Sequence, residues 1–179
     1  MPDDAALSVC TAELYDTHPQ SFAVSEIQFR AFGLRRSFWG RATTLRTHED
    51  HGPVLTALSE PGEGQVLVVD AGASLRVGVM GDRIASIAIR NGWAGVVILG
   101  AIRDSAAISG MAIGVRALGT TARRGWTPTE GKAGVPVALG TLVIAAGDWV
   151  YADEDAVMAS KQRIDPAGAA PAPVCQGDR

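Results

Sequence analysis

Asp82, Arg103 and Asp104 are the residues of this 179-residue chain whose types and spacing can do chemistry. Arg103 and Asp104 stand side by side directly behind the apolar run GVVILGAI, and twenty residues separate Asp82 from Arg103. A guanidinium and a carboxylate at the end of a buried strand are costly to place there unless paired, hydrated or used. Put to use, the arginine holds an anion and the aspartate a cation. Each also has a structural reading: Asp82 as the cap of a helix after Gly81, Arg103 and Asp104 as an ion pair, Asp104 as the cap of DSAAISG.

The elements around these residues shift that balance. QVLVVDAG and GVVILGAI are apolar throughout, as strands buried on both faces are. Between them a glycine-rich connection over 72–81 leads into DRIASIAIRNGW, where Ile84, Ile87 and Ala88 share one helix face and Asn91 and Gly92 supply the stop. A helix followed by a strand running back beside it places the helix N-terminus near the strand C-terminus, where α/β sheets bind ligands. Asp82, Arg103 and Asp104 then converge. The free first-turn amides of Arg83 and Ile84, just after Gly81, point into the same cleft and suit a carboxylate.

The rest of the chain fits a layered α/β domain. Asp3 and Asp4 precede a segment with Leu7, Cys10, Leu14 and Tyr15 at helical spacing, so an opening helix is expected to end near His18 and Pro19. Strands are expected around 28–32 and over 37–47, then a turn, HEDHGP, and a short helix, VLTALSE. AIGVRALG, VPVALG, TLVIAAGDWVYAD and DAVMAS read as further strands, with a turn at Leu139, Gly140 and Thr141. The polar, glycine-rich stretch 121–134 reads as a mobile surface loop, and loops of that length often serve a site. The Pro/Ala-rich tail from Asp165 is expected to be disordered.

Composition excludes several functions. With 47% hydrophobic residues and a length suited to one domain, a disordered chain is ruled out. A net charge of −3, with Arg35-Arg36 and Arg123-Arg124 as isolated doublets, shows no footprint for nucleic acid. Cys10 and Cys175 form no CxxC or metal spacing and suit free thiols in a reducing compartment, so the cytoplasm is expected. No stretch approaches the ~20 apolar residues of a membrane helix. No GxGxxG lies between a strand and a helix, which disfavours dinucleotides. His48-Glu49-Asp50-His51 has ligand-type side chains, yet solvated capping before a helix is the plainer reading. Trp126, Thr127 and Glu130 fit a surface loop with a capping box. Trp39, Trp93 and Trp149 fit core or subunit-interface packing.

The segment GDRIASIAIRNGWAGVVILGAIRDSAAI, with VLVVDAGAS upstream and IGVRALGT and GDWVYADEDAV downstream, resembles the RraA-like family over about residues 6–163. That family comprises regulators of ribonuclease activity A and class II, metal-dependent 4-hydroxy-4-methyl-2-oxoglutarate aldolases that also decarboxylate oxaloacetate. The resemblance implies a layered β/β/α, swivelling-domain-like single domain over 1–164, with mixed sheets and short flanking helices. It implies Mg²⁺ or Mn²⁺ on Asp104 and the 2-keto acid on Arg103. Its carboxylate is expected on the amides of Arg83 and Ile84 beside Gly81, and a metal-associated water on Asp82. Aldolases often carry a further acid three positions after the metal aspartate, where this chain has Ala107; the regulator branch tends to lack the metal aspartate, which this chain keeps. A ring-shaped homotrimer, paired in some members, and an RNA-degrading endonuclease as partner of the regulators are further implications.

The chemistry explains the residue types. Cleaving a 2-keto acid aldol, or losing CO₂ from oxaloacetate, leaves a pyruvate enolate whose charge a divalent cation and an arginine stabilise. No lysine Schiff base is required.

Overall fold

A computed structural model describes residues 8–125 and 128–166. In chain order the elements are α1 (Thr11–Thr17), β1 (Ala23–Val24), β2 (Arg30–Phe32), β3 (Phe38–Arg46), α2 (Gly52–Ser59) and β4 (Val66–Asp70). Then come α3 (Asp82–Arg90), β5 (Gly95–Ile102), α4 (Ser105–Ser109), β6 (Gly114–Thr120) and β7 (Lys132–Ala133). The last four are β8 (Val137–Leu139), β9 (Leu142–Ile144), β10 (Trp149–Ala152) and β11 (Val157–Ser160).

The sheet order is β1-β11-β10-β3-β4-β5-β6-β2, with β3 through β6 parallel and the outer pairings antiparallel. Long β3 joins the two parts: its first half pairs with β10 and its second half with β4. Side chains alternate along the parallel strands. Leu67, Val69, Val96 and Ile98 face the helices, packing against Val54 and Leu58 of α2, Ile84 and Ala88 of α3 and Ile108 of α4. Val66, Val68 and Val97 face the other way, onto the β8–β9 hairpin and strands β10 and β11. The result is the β/β/α layering that the sequence leads one to expect. Both faces of the central strands are covered, which is why they read as continuous apolar runs rather than alternating ones.

Where β5 meets β6, Phe38 fixes the packing. Gly95 and Gly114 are register partners, and a Cβ at either would fall 2.3 Å or 2.2 Å from opposite edges of the Phe38 ring. Arg116, on the same face of β6, is buried and donates from Nε to the carbonyl of Asp153 at 2.8 Å and from Nη2 to the carbonyl of Arg36. Its burial pushes the guanidinium below its ordinary pKa.

The opening helix differs from the expected one. It starts at Thr11, with Leu14 and Thr11 buried while Cys10 and Tyr15 are exposed. Its cap is tertiary: Asp153 accepts the amide of Thr11 at 2.6 Å and its hydroxyl at 2.8 Å. Asp3, Asp4 and Leu7 lie outside the described residues, as do Trp126, Thr127 and the tail from 167, with Cys175. The expected mobile loop is pinned in its described parts. Arg124 bridges to Gly78, Thr129 donates its amide to Asp50 at 2.7 Å, and β7 pairs with β3. The tryptophans pack as expected: Trp39 stacks on Tyr151 at 5.7 Å, and buried Trp93 donates Nε1 to the carbonyl of Glu60. Among the described residues no helix is long and apolar enough to cross a membrane.

Candidate active site

The parallel strands end at one edge of the sheet, and the site is built from the connections that leave them. β4 pairs with β5 as far as Leu99, and beyond it the chain after β4 moves in beside β5, which stays paired with β6 through Ile102 after a register shift. There the amide of Val79 donates to Ala101 at 3.0 Å, and that of Arg103 to Met80 at 2.9 Å. Glycines permit this approach. A Cβ at Gly78 would lie 3.0 Å from the Arg103 nitrogen, and one at Gly81 would lie 2.6 Å from Asp104 Oδ2.

Gly81 caps α3, with Asp82 in the first turn and Arg90 in the last, both complementing the helix dipole. Asp82 Oδ1 accepts the amide of Arg83 at 2.6 Å. The first turn is therefore not wholly open, as the sequence reading has it: the Arg83 amide already has a carboxylate, and an incoming acid must exchange with it or use Ile84. Asp104 caps α4 in position only. It adopts φ 56° and ψ 35° and makes no side-chain cap hydrogen bond. A left-handed aspartate costs on the order of 1 kcal/mol, and such strain clusters at functional sites. Its carboxylate instead meets Arg103, Nε to Oδ2 at 3.2 Å, with both side chains about a third exposed.

Asp82, Arg103 and Asp104, together with Gly81, Arg83 and Ile84, wall one cavity of about 310 Å³. The structure thus brings the residues singled out in the sequence to one place. The cavity also contains two residues that sequence reasoning did not assign to it, His51 and Arg124, with Arg124 Nη2 2.8 Å from His51 Nε2. Three guanidinium groups face two carboxylates, a balance that suits an anionic ligand. A larger cavity of about 710 Å³ lies between α2, β3 and residues 128–133. Among its polar wall residues, Asp50 is already committed to the amides of Gly52 and Thr129, and the Thr43 hydroxyl to Gln65.

The HEDH segment is not the solvated turn that its polarity suggests. Asp50 is buried, accepting the amides of Gly52 at the start of α2 and of Thr129. Glu49 accepts the Ser74 hydroxyl at 2.7 Å, which, with Arg76 nearby, holds its carboxyl below the usual value. Ser74 in turn accepts the amide of Ala101 through its carbonyl. The segment thus ties the β3, β4 and β6 connections together around the cavity. The available signal was four ligand-type side chains in a row just past a strand end.

A family model described as "RraA-like: Aldolase/RraA" matches residues 11–159. The chain belongs to the RraA-like family. One RraA-like relative, from Alkalilimnicola ehrlichii, is 42% identical over 158 residues, covering 88% of this chain and 98% of its own; its provisional name is 4-hydroxy-4-methyl-2-oxoglutarate aldolase. Two solved structures have the same fold at TM-score 0.84. One, from Geobacillus kaustophilus, is described as an S-adenosylmethionine:2-dimethylmenaquinone methyltransferase, with 39% identity over 87% of this chain and 96% of that one. The other is the RNA-processing inhibitor RraA from Thermus thermophilus, with 34% identity over 91% and 99%.

Proposed function

We propose that this protein is a divalent-metal-dependent lyase. It cleaves 2-keto acid aldols of the 4-hydroxy-4-methyl-2-oxoglutarate type to pyruvate and decarboxylates oxaloacetate. The observation that supports this reading is the strained, uncapped Asp104, held with Arg103 and Asp82 around one cavity at the N-terminus of α3. The names of the aldolase relatives agree with it.

The donor set fits a hard cation. Asp104 and Asp82 offer carboxylate oxygens, and no group of three ligating side chains occurs among the described residues. Mg²⁺ or Mn²⁺, which keep several waters and need only one or two carboxylates, fit such a site, with Asp104 as the holding residue. The bound cation would supply Lewis-acid stabilisation of the enolate oxygen.

The remaining work falls to the chain. Arg103 gives Nε to Asp104 and keeps its Nη donors for the keto acid, so its charge meets the one that develops on the enolate. The Ile84 amide, with that of Arg83 once Asp82 yields it, receives the substrate carboxylate. Asp82 orients a water that takes the C4 hydroxyl proton as the C3–C4 bond breaks, and a proton then returns to C3 of the pyruvate enolate. With oxaloacetate, CO₂ leaves and the same enolate is protonated.

The test is pyruvate release from oxaloacetate with and without Mg²⁺, for wild type and Asp104→Ala. Equal rates sink the lyase reading. Arg103→Lys should also lose most activity, because an ammonium cannot reproduce the guanidinium fork; retained activity would remove Arg103 from the mechanism.

The likeness to the Thermus inhibitor favours a second reading, a non-catalytic regulator that binds an RNA-degrading endonuclease through its surface. A pull-down with purified endonuclease at micromolar concentration decides it. In either reading we propose a homotrimer, to be checked by light scattering. The Geobacillus methyltransferase description is not carried over, since this chain has no GxGxxG between strand and helix.

A further inference from the structure

We infer that Arg124, oriented by His51, binds the second carboxylate of a dicarboxylic 2-keto acid in the cavity that holds Arg103 and Asp104. The inference rests on the lyase reading for the identity of the substrate, and it names what selects that substrate among 2-keto acids. Arg124 follows β6 and His51 follows β3, and both line the Arg103–Asp104 cavity.

The backbone sets where the two arginines stand. Gly78 forms a parallel bridge to Ala101 on one side and to Arg124 on the other, and its amide donates to the Arg123 carbonyl at 2.9 Å. Arg124 therefore begins two inter-strand spacings, roughly 10 Å, from the β5 end that carries Arg103. Both side chains reach back to the cavity between them. Two cations arriving from opposite sides of a small cavity match a short molecule with an acid at each end.

The contact with His51 orients the second cation. A guanidinium only donates, so His51 Nε2, 2.8 Å from Arg124 Nη2, is the accepting atom of this contact. Nδ1 is buried, has no hydrogen-bond partner among the described residues and lies 3.9 Å from Asp50 Oδ1, which already takes the Gly52 amide. The contrast with the first arginine is chemical: Arg103 is held by the Asp104 carboxylate, whereas an imidazole contacts and aims the Arg124 guanidinium. A charged, oriented guanidinium is what a distal carboxylate requires. Arg124 is the binding group and His51 a positioning residue.

The test uses two ligands that share the 2-keto acid head and differ at the other end, 2-oxoglutarate and 2-oxobutanoate, titrated calorimetrically in the presence of Mg²⁺. Wild type should bind 2-oxoglutarate roughly tenfold or more tightly than 2-oxobutanoate. Arg124→Met should erase that preference while leaving 2-oxobutanoate affinity unchanged. In pyruvate release from oxaloacetate, His51→Ala should raise KM several-fold with kcat nearly constant, a split that general loosening of the fold would not give. No preference in wild type, or equal weakening of both ligands by Arg124→Met, overturns the inference. The two readings fail separately: a protein that prefers the dicarboxylate through Arg124 but releases no pyruvate refutes the lyase and leaves the subsite standing.

Discussion

Replacing Gly81 with alanine should separate catalysis from stability. Gly81 has φ −129° and ψ −175°, an extended backbone that alanine adopts without strain. The added Cβ, however, would stand 2.6 Å from Asp104 Oδ2, inside the 3.0 Å that real Cβ atoms essentially never cross. The backbone cannot retreat easily, because the Gly81 carbonyl takes the Ala85 amide at 3.0 Å and neighbouring Met80 takes that of Arg103 at 2.9 Å. The Asp104 carboxylate must therefore swing away by several tenths of an ångström, opening its 3.2 Å contact with Arg103. That pair is about a third exposed and contributes at most ~1 kcal/mol. Alanine returns about 0.4–1 kcal/mol by narrowing the unfolded ensemble. Net stability should change by less than about 1 kcal/mol, or a few degrees in Tm. Displacing a catalytic group by ~1 Å can cost ~10²-fold in rate. The expected outcome is near-native thermal unfolding with pyruvate release from oxaloacetate reduced tenfold to about a hundredfold. Activity within threefold of wild type, or a rate loss matched by a large fall in Tm, would refute the reasoning.

Two further outcomes test the frame around the site. Gly95→Ala should destabilise by about 3 kcal/mol in urea unfolding, the upper end of overpacking, because the new Cβ meets the Phe38 ring at 2.3 Å and Gly114 closes its other edge; a change below about 1 kcal/mol would show that the ring can move. Acidification should destabilise through Glu26 and Glu49. The Thr141 hydroxyl and amide hold the Glu26 carboxyl below its ordinary value of 4.5, as the Ser74 hydroxyl does for Glu49. The unfolded chain then takes up protons first, so stability present above pH 4.5 is lost as pH falls through the folded values. The urea midpoint of the Glu26→Gln, Glu49→Gln double variant should fall less steeply with acid than that of wild type, and equal slopes would contradict this.

Local pattern determined much of this molecule. Unbroken apolar runs marked β4 and β5 as strands covered on both faces, because burial of a strand leaves no polar side to alternate with. Spacing across one helix and one strand placed Asp82 near Arg103 and Asp104, since the N-terminus of α3 and the C-terminus of β5 share one edge of the sheet. Family motifs over the same residues pointed to the RraA-like fold. Only the tertiary structure decided the rest, because it depends on partners far apart in sequence. Asp153 caps α1 from 142 residues away, which no local cap signal announces. Asp50 and Thr129 meet across 79 residues and turn an apparently solvated HEDH turn and a polar loop into a clamp. His51 and Arg124, 73 residues apart, reach the same cavity because β3 and β6 end at the same edge of the sheet. Sequence periodicity reports which face of an element is buried; it does not report which strand ends lie side by side, and this site is assembled from strand ends.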